Sequence, residues 1–324
     1  MASLSPASTR HKQALARLRA YVPPPTQYYN TPLSRRAAVL ILLFADPHGD
    51  LKVVLTMRSK TLSSYAGHAA LPGGKADSLS ETPFQTARRE AYEEIGLPLT
   101  DSKLPYPFRV EHLCQLPANL AKTELGVRPC VAYLSPTRAE ADAPRSQTVD
   151  ASKRIEETLI PRLDAKEVAA VFTAPFQHFL HASSNHSNSS AQTQGDDVDS
   201  RPGAEAAGFP ADWYRGTWTD WHESRWRMHS FFVPVNPKSV TLPKNEKTYL
   251  SSDPPARFRV FGMTARILVD CARVAYAQEP QFEHNSRFGD EEMIGRLIKL
   301  GRFAEERKSG DELTKDILKQ ASKI

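Results

Sequence analysis

At 324 residues, with 40% apolar and 24% charged side chains, the chain has an ordinary globular composition and room for one large domain or two small ones. Its net charge of +5 is slight for that length, suiting a polyanionic small molecule and excluding a strongly basic nucleic-acid surface. Three cysteines (Cys114, Cys130, Cys271) with no close-spaced pair exclude a disulfide scaffold and a structural zinc site, and point to a reducing compartment.

Residues 1–32 form an N-terminal extension. It carries no acid before Asp46 and sets Arg10, Lys12, Arg17 and Arg19 around Leu15 and Leu18. The preferred reading is a helix on the domain edge, stopped by Pro23-Pro24-Pro25, with a mitochondrial presequence as the alternative. There is no signal-peptide apolar region, and the longest apolar run, Ala37 to Ala45, is strand-sized, so no membrane span is expected. Ala37–Phe44 and Leu51–Met57 read as a β-hairpin joined through Asp46-Pro47-His48-Gly49-Asp50.

A glycine-rich loop, Leu71-Pro72-Gly73-Gly74-Lys75, precedes a helix with clear ends. Thr82 is the N-cap, Pro83 takes the first helical position and Gln85 completes a capping box. Phe84, Ala87, Ala91 and Ile95 face the core, and Gly96 closes the helix ahead of Pro98. Val110–Leu116 and Val127–Leu134 are further strands, and Leu163–Leu180 is a helix or a strand followed by one. The stretch 181–211 is rich in Ser, Asn, Gln, Asp and Gly, and Val198 is the one bulky aliphatic between Ala182 and Ala207. It cannot offset the cost of ordering and is expected to be a disordered insertion. The aromatic, basic run Trp213 to His229 reads as two strands whose rings fill the core, or as a stacking wall for adenine with cations for phosphate. Met293, Ile294, Leu297 and Ile298 mark a peripheral helix in the tail.

The chemistry concentrates in Arg89-Glu90-Ala91-Tyr92-Glu93-Glu94-Ile95-Gly96-Leu97. Glu90, Glu93 and Glu94 share one helix face, where like charges repel unless a cation or solvent screens them. A divalent cation removes the penalty, and oxygen-only ligands suit Mg²⁺ or Mn²⁺. A solvated acidic face is the alternative for Glu93-Glu94 alone; the preceding glycines and the spacing argue against it.

With Gly74 and Glu81 in front, this run resembles the Nudix box, G-x5-E-x7-R-E-U-x-E-E-x-G-U, where U is aliphatic. The chain departs from it twice: six residues separate Gly74 from Glu81, and Ala91 is small for its position. The extra residue falls in a loop, where insertion is tolerated. Upstream, Leu55-Thr56-Met57-Arg58-Ser59, Gly67 and Leu71-Pro72-Gly73-Gly74 are similar to the further signature of the coenzyme A diphosphatase branch. Ser63 replaces an arginine of that pattern and Leu71 a phenylalanine.

The resemblance covers roughly 33–180 and 212–276. It implies an α/β fold, the Nudix α/β/α sandwich with a mixed sheet between helices, split by the 181–211 insertion and followed by a helical tail over 277–324. It implies metal-dependent hydrolysis of CoA or CoA thioesters to 3′,5′-ADP and 4′-phosphopantetheine or its acyl form. Glu90, Glu94 and Glu93 are the expected catalytic metal ligands, for Mg²⁺ or Mn²⁺. Arg58, Gly73, Gly74 and Lys75 are expected at the substrate, while Glu81, Arg89 and Gly96 are expected to be architectural. The identity of the general base stays open. The alternatives are a Nudix diphosphatase of an oxidised nucleoside triphosphate, ADP-ribose or NADH, and a silent binding module. No nucleic-acid partner is expected. The terminal Ser322-Lys323-Ile324 is similar to a peroxisomal address and implies an import receptor, with mitochondrion or cytosol as alternatives.

Overall fold

The chain's structure, a computed structural model, describes residues 6–58, 68–104, 108–136, 168–182, 213–221, 224–234, 240–241, 257–306 and 312–324. The insertion expected at 181–211 lies outside these residues except for its first two positions, as do Ser59, Ser63 and Gly67.

The layering follows from one strand. Along β1 (Arg36–Ala45), Ala38, Leu40, Leu42 and Phe44 enter one apolar cluster, while Ile41 and Leu43 enter another. Successive strand side chains point to opposite faces, so a strand apolar at nearly every position must be covered on both. Each such Leu, Ile or Phe contributes about 1.5–3 kcal/mol on burial, which drives both layers together.

One face is covered by helix α2 (Pro83–Ile95) through Ala87, Ala91 and Ile95. The other is covered by α1 (Pro6–Ala20), through Ala14, Leu15 and Leu18, and by α3 (Gly262–Tyr276), through Ala265, Leu268, Val269 and Ala272. Between them lies a sheet of nine strands among the described residues. Its remaining strands are β2 (Leu51–Arg58), β3 (Ala69–Ala70), β4 (Gly73–Lys75), β5 (Phe108–Gln115), β6 (Asn119–Leu120), β7 (Gly126–Pro136), β8 (Val168–Pro175) and β11 (Val240–Thr241). The path is β11-β8-β2-β1-β7-β5, with β3 on β2, β4 on β1 and β6 on β7. β1 and β7 run parallel and the other pairs antiparallel, so the sheet is mixed.

β1 has two partners on one edge. Leu43–Ala45 pairs with β2, whereas Ala37–Val39 pairs with β4, and Leu40 N–H donates to Pro72 O at 2.8 Å between them. The Gly73–Lys75 backbone is thereby wedged into the sheet where β2 departs, directly against α2.

Three features settle or correct the expectations. Of the two readings of Leu163–Leu180, a single helix is excluded from residue 168 on: β8 is followed by a short 3-10 helix, Phe176–Leu180. Secondly, the aromatic strands do not join the main sheet. β9 (Tyr214–Trp221) and β10 (Ser224–Pro234) pair with β12 (Arg257–Phe261) in a separate three-stranded sheet, in the order β12-β10-β9. Trp213 and Phe231 do fill the core, but Trp218 and Trp226 line a cavity instead.

Finally, the tail carries two helices, α4 (Glu291–Lys299) and α5 (Lys315–Ser322), rather than one peripheral helix. Ile294, Leu297, Leu313 and Leu318 bury with Ala118 and Leu120 in a third cluster. Glu291 accepts hydrogen bonds from the Gln27 and Ala118 N–H groups and from Arg128, and buried Glu124 pairs with Arg35 and Arg302. The described part of the tail is therefore bonded into the domain. Among the described residues, no helix is long and apolar enough to cross a membrane.

Candidate active site

The acidic helix starts and stops where its end residues dictate. Thr82 accepts from Gln85 N–H at 3.3 Å while its own N–H donates to Gln85 Oε1 at 2.9 Å, so two unpaired helix donors are satisfied. Pro83 follows the cap. At the other end Gly96 is left-handed (φ 67°), and its N–H reaches the Ala91 and Tyr92 carbonyls. With the apolar stripe held on β1, the register of the glutamates against β4 is set.

Glu94 is 4% exposed and accepts from the Gly73 N–H at 3.2 Å. The Glu90 carboxylate lies against Gly74, where an added Cβ would stand 2.5 Å from its Cδ and Oε1. These four residues meet in one place: two carboxylates on the backbone of a two-glycine strand. A second group is organised by Arg89. Its Nε donates to Glu81 at 2.9 Å and its Nη2 to Lys75 O at 2.8 Å; Nη1 reaches Glu90 at 3.2 Å and Glu93 at 3.3 Å. Glu81 also accepts from Asp77 N–H (2.9 Å) and Thr86 Oγ1 (3.1 Å). The six-residue loop from Lys75 to Ser80 is thus tied to the helix, with its extra residue absorbed in the turn.

Partial burial would raise the Glu81 pKa, but Arg89, Asp77 N–H and Thr86 outweigh it and hold the carboxyl below its usual value. The hydrogen bond to Glu81 raises Arg89 in return, against partial burial. Arg58 ends β2, where its N–H donates to His68 O at 3.0 Å and its Nε is buried with no hydrogen-bond partner. It has no contact with the glutamates among the described residues. The Lys75 side chain is exposed.

A divalent ion needs hard oxygen ligands, and Glu90 and Glu94 supply them around a glycine cradle that any side chain at Gly74 would fill. That pair fits a metal. Among the described residues no three acids gather closely in this ion-free arrangement. The Glu93 side chain is 48% exposed and turned to Arg89.

A cavity of about 880 Å³ lies elsewhere, among Tyr21, Trp218, Trp226, Arg266, His284 and Arg296. Its cations are already matched: Arg266 pairs with Asp290, while Arg287 and Arg296 pair with Glu292.

Sequence reasoning missed Asp77, which shares Arg89 at 3.2 Å, and the neighbours that β12 brings to His68. The odd length of the 75–80 loop was a signal for Asp77. No local pattern signalled the β12 contact, which joins residues almost 200 positions apart.

A family model described as NUDIX domain matches residues 34–116. The chain is 32% identical over 273 residues to peroxisomal coenzyme A diphosphatase 1 of Saccharomyces cerevisiae, covering 81% of this chain and 75% of the yeast protein. It is 29% identical to Nudix hydrolase 22, chloroplastic, and 28% to Nudix hydrolase 15, mitochondrial, both of Arabidopsis thaliana. Each of those matches covers 76% of this chain, but only 58% and 61% of the respective plant protein, under two thirds of its length.

Proposed function

The chain belongs to the Nudix hydrolases, and from that premise we propose that it cleaves the diphosphate of coenzyme A or its thioesters, releasing 3′,5′-ADP and 4′-phosphopantetheine or its acyl form. The observation that carries this is the similarity to the yeast coenzyme A diphosphatase over 81% of this chain. The pairing of Glu90 and Glu94 on the Gly73-Gly74 strand supports it.

Glu90 and Glu94 would hold Mg²⁺ or Mn²⁺, with Glu93 reaching it directly or through water. When bound, the ion neutralises diphosphate charge and acidifies the water that attacks phosphorus. Gly73 and Gly74 let the backbone approach the phosphates closely. Arg58, whose Nε has no hydrogen-bond partner among the described residues, and Lys75 supply positive charge to the same substrate. Arg89 clamps the 75–81 loop to the helix through Glu81 and Lys75 O, so the glycine strand and the glutamates keep one spacing.

The test is incubation with CoA and Mn²⁺, then identification of products by mass, against ADP-ribose, NADH and an oxidised nucleoside triphosphate. CoA should be cleaved fastest. Preferred cleavage of another compound, or no cleavage of any, overturns the assignment.

We infer a peroxisomal location from the similarity to the peroxisomal yeast relative, and Ser322-Lys323-Ile324 is the segment to test as its address. Fusion of a fluorescent protein to residues 312–324 should give punctate peroxisomal signal, lost on deleting the last three residues.

A further inference from the structure

Beside the glycine strand the structure builds a corner without acids. β3 and β12 lie side by side, so His68 meets Phe261 edge-on with ring centroids 4.7 Å apart. Arg259 covers the same phenylalanine at 4.4 Å from its centroid, and its Nε and Nη2 donate to Ser230 Oγ at 3.2 and 3.0 Å. Arg58 adjoins His68 across the end of β2. The segments that form the corner, 68–76, 226–234 and 257–266, contain no aspartate or glutamate. Arg259 is exposed and Arg58 half-buried, and neither has a carboxylate partner among the described residues; of the buried guanidiniums, Arg35, Arg88, Arg128 and Arg266 pair with acids, while Arg36 bonds backbone carbonyls.

An arginine fixed by stacking and by two hydrogen bonds, yet lacking a counter-ion, is pre-organised for an external anion. Its ordering has been met by the fold, so more of the contact energy appears as affinity. His68 is five residues upstream of Gly73, a reach of at most about 17 Å even if fully extended. The anion would thus belong to the molecule whose diphosphate sits at the glycines.

We propose that Arg259, held by Ser230 and Phe261 and flanked by His68, binds the phosphate monoester on the ribose of the substrate and so selects CoA over nucleoside diphosphates that lack it. This rests on the diphosphatase reading and adds to it the residue that determines specificity. One ribose separates that monoester from the diphosphate, so the proposal requires Arg259 and the glycine strand to lie within one nucleotide's span of each other.

The experiment compares CoA with dephospho-CoA, which lacks the monoester, in wild type, Arg259→Ala and Ser230→Ala. A lost hydrogen bond to a charged group corresponds to about a ten- to hundredfold loss. Arg259→Ala should lose that much kcat/KM on CoA, chiefly through KM, and less than about twofold on dephospho-CoA. Ser230→Ala keeps the charge but unties it, and should give a smaller loss with the same selectivity. Calorimetry in EDTA supplies a readout independent of turnover: wild type should bind 3′,5′-ADP at least about tenfold tighter than 5′-AMP, and Arg259→Ala should bind the two alike.

Equal losses on both substrates, or none, overturn the specificity assignment and leave the diphosphatase reading intact. Wild type that cleaves neither compound yet keeps the calorimetric preference overturns the diphosphatase reading and retains the anion site. Absence of both effects overturns both.

Discussion

Replacing Gly74 by alanine separates the chemistry of the site from its folding. The new Cβ would lie 2.5 Å from Glu90 Cδ and Oε1 and 2.6 Å from Oε2, whereas ordinary contact begins near 3.4 Å. The carboxylate must therefore retreat by about 0.9 Å, the difference of those distances. It can do so, because it is the end of a flexible side chain. A displacement of about 1 Å at a reacting centre costs on the order of 100-fold in rate, about 2.7 kcal/mol. Gly74→Ala should therefore fold with a melting temperature near wild type and lose about two orders of magnitude in kcat/KM for CoA with Mn²⁺.

Gly73→Ala is the control. Its Cβ would meet Ala38 O at 2.3 Å and Val39 Cα at 2.6 Å, both backbone atoms of the central strand. Nothing there can swing aside, and overpacking of this kind costs about 1–3 kcal/mol of stability. It should melt several degrees lower. Wild-type turnover by Gly74→Ala, or equal destabilisation by the two variants, would refute the geometry on which the site rests.

Glu94→Gln keeps an acceptor for the Gly73 N–H while removing the charge, so CoA turnover should fall by orders of magnitude with the melting temperature unchanged. Glu93→Gln, at the half-exposed position facing Arg89, should lose less in the same assay. Thr82→Ala removes the cap of the acidic helix and should cost about 1 kcal/mol in urea unfolding, with no change in KM. Burial, helped by His284, Arg227 and Arg266, lowers His229 to about 3. An unfolded histidine titrates near 6.5. The unfolded chain alone therefore takes up this proton between those values. Stability present above about pH 6.5 is lost as pH falls towards 3, at up to about 1.4 kcal/mol per pH unit. His229→Phe should flatten that slope between pH 7 and 5, leaving the part due to His178, which burial also lowers to about 3.

The caps of the acidic helix, its buried stripe and the opening hairpin were all legible, because each depends on residues within a few positions of one another. Thr82 with Gln85, the left-handed Gly96, and the alternating apolar side chains of β1 need no distant partner to state their preference. Family membership was legible for a related reason: a spacing pattern on one helix survives where the rest of a chain diverges.

What only the tertiary structure decided involves choices between partners far apart in sequence. Arg89 is within reach of four acids, Asp77, Glu81, Glu90 and Glu93, and which of them share it follows from how the loop packs on the helix. The apolar tail reads as one peripheral helix until Glu291 is seen joining Gln27, Ala118 and Arg128. The aromatic strands leave the main sheet because β12 pairs with β10, which sets Arg259 and Phe261 beside His68. A local pattern states which side chains seek burial or a counter-charge. Which of several equivalent partners each one meets is decided by the packing of all of them at once.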